Sequence, residues 1–337
     1  MSRLSSLSST SNRVFIGGCG LFPGFDENAL RTLALGAFLG WMVMPARMEA
    51  AVIGVLYPQV RPPYEKVFLD IIRGLKGYPS IAVKTYALPR RFDVKDIKAW
   101  VEREDMDALV VLGRRGVKAA EALAPSIPVV ASGTLLTPEQ DSAITAGISL
   151  AVDPEKLFLT LLALMPQVER VFVVYHPAYN AWLIKKAKQV AERLGLVLKS
   201  HPAHTLKEAV QRYRDIFEEI RPGRDALWLP LDSMTVNDQV ILPMVLDVSW
   251  DRYLVLFSSN PAHVQKGAFF ALYPDNEALG RRLGALALEL LRGKLHHQRI
   301  LFVEDVKLAV NVRVAEHFGL GPERLRRVRI DVFFPRP

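Results

Sequence analysis

The chain has one cysteine, Cys19, and it falls among the first fifty of 337 residues. Nothing after it can form a disulfide framework, a zinc knuckle or a cysteine nucleophile. A thiol-free body also suits an oxidising compartment, where a stray thiol is a liability. Long apolar runs are scarce as well. Leu33 to Met44 (LALGAFLGWMVM) follows Arg31 and would rise about 18 Å as a helix, short of a hydrocarbon core of about 30 Å. Phosphate-cradling and catalytic signatures are missing too: no G-x-G-x-x-G after the first strand, no G-x-x-x-x-G-K-[ST], no G-x-S-x-G and no H-E-x-x-H. Of the seven histidines, the pairs His201/His204 and His296/His297 come closest to metal spacing, and neither has a carboxylate cluster beside it. No nucleophile is paired with a base. These absences predict no catalytic residue, no metal and no cofactor: a binding protein, not an enzyme.

What is present is an apolar half of the chain and a formal charge of +8. A basic balance can steer a protein to nucleic acid or to an anionic membrane. Here the charges are dispersed apart from Arg324, Arg326, Arg327 and Arg329, which reads as a solvated surface with no nucleic-acid partner. The length predicts two domains. Leu33 to Met44, followed by Pro45, Ala46 and Ala50-Ala51, has the form of a signal-peptide core with cleavage near Ala50. Residues 1–50 are therefore expected to be a leader and the protein periplasmic; the alternative is a buried helix of the fold. Asp26 and Glu27 depart from the basic start of a signal, as a start site assigned too early would explain.

From Val52 the chain alternates short β-branched runs with segments of helical period. Strands are predicted at Val52–Tyr57, Ala82–Tyr86, Ala108–Leu112 and Pro128–Ser132, with helices at Tyr64–Gly77, Asp93–Arg103 and Val117–Ala124 between them. The pattern restarts with an extended piece at Ser149–Ala151 and a helix from Asp153 through Leu164. Strands at Val171–Tyr175, Val197–His201, Ala226–Pro230 and Tyr253–Ser258 follow, with helices at Ala181–Leu194, Leu206–Ile220, Asn237–Val248 and Asn276–Arg292. A strand around Lys307–Val310 and a helix near Val312–Phe318 close the chain. Two successive β-α series predict an α/β protein of two doubly wound parallel-sheet lobes with a hinge and a central cleft.

Ligands of open parallel sheets collect outside the carboxyl ends of the strands. The loops there offer Tyr57 and Tyr64, then Gly113-Arg114-Arg115 opening a helix, then Ser132-Gly133. In the second series they offer Tyr175, Tyr179, Asn180, Asp232 and Ser258. Each could be a turn or cap residue. As a set they suit a small polar or zwitterionic solute: Arg115 and backbone N–H groups for a carboxylate, Asp232 for an amine, tyrosines for the body.

Two segments carry a resemblance. Asn260-Pro-Ala-His-Val-Gln-Lys-Gly-Ala-Phe-Phe-Ala-Leu-Tyr-Pro-Asp275, continued by Leu279-Gly280 and Leu291-Arg292-Gly293, is one. Leu308-Ala-Val-Asn311 with Ala315 and Gly319-Leu320 is the other. Together with the alternation they resemble the ABC transporter substrate-binding proteins of tryptophan and tyrosine type, over about Ala51 to Asp331. That resemblance implies a type I periplasmic-binding fold crossing between its lobes three times, near Gly147, Asn260 and Lys294. The lobes are then 51–147 plus 261–294 and 148–260 plus 295–337. It also implies a monomer that hands a solute to an ABC permease. A ligand-sensing subunit acting through a membrane sensor protein, and a cytoplasmic effector-binding regulator, are the alternatives. Ser132-Gly133 stands where many members carry an acid-proline pair, and Arg114-Arg115 where small hydroxyl residues are common, which suggests a more anionic solute.

Overall fold

The computed structural model describes residues 50–335, apart from Pro63, Pro125, Ser142, Ala143, Leu295 and His296. The expected leader and Cys19 lie outside the described residues. The first sheet is built from β1 (Ala51–Pro58), β2 (Ile81–Leu88), β3 (Ala108–Leu112), β4 (Val129–Ser132), β5 (Ala146–Val152) and a late strand, β11 (Arg299–Val303). Its order is β11-β5-β4-β3-β1-β2, and every pairing is parallel. Residues of β3 and β4 are buried throughout, as expected of strands covered on both faces, and their sequences ALVVL and VVAS lack the alternation of a half-exposed strand.

The second sheet takes β6 (Arg170–Tyr175), β7 (Val197–Pro202), β8 (Asp225–Leu229), β9 (Val255–Ser258), β10 (Phe270–Pro274), β12 (Val306–Asn311) and β13 (Val332–Phe334). Its order, β13-β12-β10-β9-β8-β6-β7, repeats the order of the first five strands of the other sheet, and only β12 runs antiparallel to its neighbour β10. The helices α1 (Tyr64–Lys76), α2 (Val94–Arg103), α3 (Gly113–Leu123), α4 (Pro154–Leu164), α5 (Pro177–Arg193), α6 (Leu206–Glu219), α7 (Ile241–Asp251), α8 (Pro261–Lys266), α9 (Asn276–Leu291), α10 (Val312–His317) and α11 (Pro322–Leu325) connect the strands. Several of their starts carry side-chain caps. Asp93, Asp153, Thr205, Asn260, Asp275 and Asn311 each accept from a backbone N–H of the first turn.

The chain passes from the first sheet to the second at Val152–Pro154, returns after Pro274, and crosses again at Val303–Val306. These three places lie side by side. Asp153 N donates to Val303 O at 3.1 Å, and Asp275 N to Asp305 O at 2.9 Å. Trp182 of α5 stacks on Phe302 of β11 with ring centroids 3.9 Å apart, tying the two halves beside the crossings. The expected crossings at Gly147, Asn260 and Lys294 are each several residues early. Gly147 is inside β5, while α8 and β10 belong with the second sheet because β10 pairs with β9 and β12. Likewise residues 299–303 return to the first sheet as β11, pairing with β5. A strand contributed from so far along the chain leaves no local mark of its sheet.

Helices α1 and α9 meet with no side chain between their backbones. A Cβ at Gly74 would lie 1.9 Å from Glu277 O, and one at Gly280 would lie 1.9 Å from Ile71 O. Both glycines are required by that approach. Gly280→Ala is expected to force the helices apart and lower unfolding stability by about 1 to 3 kcal/mol. Urea titration of the variant checks this; an unchanged midpoint would mean that the helices separate without cost.

Candidate solute-binding cleft

The carboxyl ends of both sets of strands face one another. Gln140, in the loop leaving β4, donates its side-chain amide to Ala178 O in the first turn of α5. On the second sheet's side a cavity of about 620 Å³ is lined by Pro230, Leu231, Asp232, Ser233, Asp238 and His263, among others.

The structure separates the expected ligand residues into those that hold the loops and those that remain available. Arg114 belongs to the first group. Its Nη1 donates to Asp141 Oδ1 at 2.6 Å and its Nη2 to Leu135 O at 2.6 Å, so its fork braces the loop after β4. Arg115 donates from Nη1 to Leu88 O at 2.9 Å and to Gln59 O at 3.3 Å, pinning the loop after β1 to the end of β2. Nη1 of Arg115, expected to grip a ligand carboxylate, is spent on two carbonyls at the strand ends, one of which, Leu88 O, also accepts from Gln59 N at 2.8 Å. Ser132 is fully buried and donates to Ile148 O at 2.7 Å.

Asp232 is likewise occupied. Oδ2 accepts from His176 N at 2.7 Å and Asn180 Nδ2 at 3.1 Å; Oδ1 accepts from Met234 N at 3.0 Å and Thr235 N at 3.1 Å. Four donors leave little capacity for the expected ligand amine, and the carboxylate instead ties the loop after β6 to the loop after β8. Tyr213, buried beneath, has its hydroxyl held well above the ordinary phenol range, by burial first and then by the charge of Asp232. Asn180 is fully buried in this knot.

Ser258 is also buried and enters a chain that sequence spacing did not show. Its Oγ lies 2.8 Å from His263 Nδ1, and His263 Nε2 lies 3.2 Å from Asp238 Oδ1. The hydroxyl oxygen also accepts from Asn260 N at 3.0 Å, and with no exposed surface it offers no approach to an acyl group. Burial lowers the His263 pKa below the ordinary histidine value, although Asp238 pulls it upward. A histidine three residues after an N-cap Asn-Pro was the available signal for this contact, since that spacing turns the ring back over the helix start.

The groups left free are aromatic and backbone donors. Tyr64 is 72% exposed and Tyr179 51% exposed, while Tyr57 and Tyr175 are half-buried. Burial raises the Tyr175 hydroxyl above its ordinary pKa, so it stays a neutral donor. Helix α3 begins at Gly113 directly after β3, and its N-cap Leu112 supplies no side-chain bond. A Cβ at Gly133 would come within 3.1 Å of Gly113 N, and Gly133 has φ +70, so both space and backbone favour glycine there. The first turn of α3 therefore carries no side-chain cap, the arrangement in which helix N–H groups can turn to an acceptor from outside.

Two sheets of matching strand order, three adjacent crossings and loops converging from both carboxyl ends define the class of bilobed solute-binding proteins with a type I periplasmic-binding fold. The chain belongs to the ABC transporter substrate binding protein family, whose model matches residues 94–325. It is 22% identical over 244 residues to a tyrosine-binding protein of Clostridioides difficile (strain R20291), with 67% of each chain covered. Among solved structures it is similar to a ligand-free, open substrate binding protein with adhesive properties from Clostridium difficile, at a TM-score of 0.61 and 16% identity, covering 85% of this chain and 100% of that one. It is also similar to an ABC domain in complex with L-Trp from Streptococcus pneumonia, at a TM-score of 0.55 and 18% identity, covering 84% of this chain and 99% of that one.

Proposed function

We propose that the chain is the solute receptor of an ABC importer, working outside the cytoplasmic membrane, and that it encloses a small amino-acid-like molecule between its lobes. The observation that carries this reading is the pairing of an uncapped, glycine-bordered helix start on one lobe with a polar cavity of about 620 Å³ on the other. The α3 start suits a carboxylate, Ser233 and the half-exposed Asp238, which already pairs with Lys266 Nζ at 3.1 Å, suit the polar end of the solute, and Tyr57, Tyr64, Tyr175 and Tyr179 suit an aromatic or aliphatic body. The likeness to a tyrosine-binding protein and to an ABC domain in complex with L-Trp supports the amino-acid class. Lobe closure on the solute would present a changed surface to the permease.

The test is a thermal-shift screen with amino acids, small carboxylates, purines and sugars. An aromatic amino acid is expected to raise the unfolding temperature, and Tyr64→Ala to weaken its binding several-fold without moving the unliganded midpoint, because the ring is exposed. A response to sugars or purines alone overturns the amino-acid class. Sequencing the N-terminus of envelope-derived protein tests export, with a start at Ala50 or Ala51 expected and an intact Met1 in the cytoplasm contradicting it.

A further inference from the structure

We propose that the second lobe carries a separate small-molecule site, at the end of its sheet away from the cleft, suited to a neutral saccharide ring. A cavity of about 590 Å³ lies between the last turn of α7, the end of α8 and the start of α10. Beside it three rings stack. The His317 imidazole lies 3.9 Å from the Trp250 ring at 10° and 4.4 Å from the Tyr253 ring at 14°. His317 Nε2 donates to Trp250 O at 2.9 Å, which fixes the imidazole in the stack. Trp250 is nonetheless 49% exposed and Tyr253 46% exposed, so this aromatic surface is held rigid without being used as core. Tyr253 is kept at φ 52, in the left-handed region that a bulky residue seldom enters.

The polar lining is equally unsettled. Asp251 ends α7 and Asp247 lies one turn before it; the last turn holds no basic residue and forms the negative end of the helix dipole, where a carboxylate is disfavoured. Among the described residues neither has a cation within 4.0 Å, and Arg313 on α10 has no carboxylate within that distance. Lys266 is already paired with Asp238 at 3.1 Å, so Asp247, Asp251 and Arg313 leave the lining with at most one net negative charge, which disfavours a nucleotide and gives little hold on a polyamine. It does offer acceptors and donors together, with Gln265 between them, beside an indole face. Hydroxyls that both donate and accept, on a ring with an apolar C–H face, match that set.

Saturation-transfer NMR on the full chain, with glucose and with the β-1,4 trimer of N-acetylglucosamine as probes, tests the site. Transfer to ring protons is expected, and Trp250→Ala and Asp251→Asn should each weaken binding by about tenfold. Tyr64→Ala in the cleft should leave it unchanged. Binding of glucose as good as that of the trimer points to free sugars, and binding of the trimer alone to a glycan chain. No transfer from either probe overturns the proposal, as does transfer that survives both variants or is lost with Tyr64→Ala, which would place the sugar in the cleft. Should Trp250→Ala fail to fold, the exposed Asp251→Asn substitution still decides the matter.

Discussion

Asp225→Ala is expected to cost about 3 to 5 kcal/mol of unfolding stability at neutral pH while leaving solute affinity unchanged. Asp225 opens β8 with no exposed surface, and its register partner Arg170 opens β6 beside it. Arg170 Nε donates to Asp225 Oδ1 at 2.8 Å, and Arg170 Nη2 donates to Oδ2 to complete the fork. Arg221 adds its backbone N–H to Oδ2 at 2.6 Å and Nη2 to Oδ1 at 3.0 Å. Removing the acid leaves the largely buried guanidinium of Arg170 with only Glu219, whose Oε2 is 3.6 Å away, and the penalty approaches that of a poorly compensated buried charge. All of this occurs at the amino ends of the strands, opposite the loops of the cleft, so the loss should not reach the ligand.

The same pair sets an acid limit. Burial pushes the Asp225 carboxyl upward, but the Arg170 fork and the two Arg221 contacts outweigh it and hold the pKa below the ordinary aspartate value. A depressed folded pKa means that the unfolded chain binds the proton first as pH falls. The stabilisation is therefore complete above the unfolded value of about 3.8 and declines as pH drops through the lower folded one. Denaturant titrations from pH 7 to pH 2 should show the gap between the native chain and Asp225→Ala narrowing only below about pH 4. A gap that stays constant across that range would mean that the ion pair is not what Asp225 contributes.

The alternation of the chain made most of the fold readable because both sheets bury their strands on two faces. Ala108–Leu112 is an unbroken apolar run and is strand β3 residue for residue. Caps at Asp93, Asp153 and Asn311 are local chemistry, and the helix starts there followed from it. What stayed hidden depended on distant partners. β11 is a five-residue strand whose sheet is set by β5, about 150 positions earlier, so the lobe boundary was displaced. Helix α3 starts four residues before its predicted start, because Gly113-Arg114-Arg115-Gly116 reads as a turn until Asp141 and two loop carbonyls are seen to hold the arginines. The same holds for the site. Its residue types were legible, but their roles depended on acceptors 21 to 56 positions away. Arginines that look like ligand donors in sequence are loop braces in space. The exposed Tyr64 and Tyr179 make no such hydrogen bonds among the described residues.

Asp232 brings this distinction to a measurable point. As the counter-charge of a bound ammonium group, it could be replaced at a cost to affinity alone. As the knot between two loops, it cannot be replaced without a cost to the fold. Its two oxygens accept from His176 N, Asn180 Nδ2, Met234 N and Thr235 N, and Thr235 and Asn180 are completely buried. Asp232→Ala strands those donors where water cannot readily replace the carboxylate, and each buried donor left unmet costs about 1 to 3 kcal/mol. With some relaxation of the exposed Met234 amide, a net loss of about 3 kcal/mol in unliganded stability is expected. Asp232→Asn should recover part of it, since one amide oxygen still accepts while its NH2 faces donors. Solute affinity should fall as well, through displacement of the loops after β6 and β8, and the two losses should scale together across Ala, Asn and Glu. Chemical denaturation without ligand, paired with calorimetry on each variant, separates the cases. If stability holds and only affinity falls, Asp232 contacts the solute directly and its four donors find other acceptors.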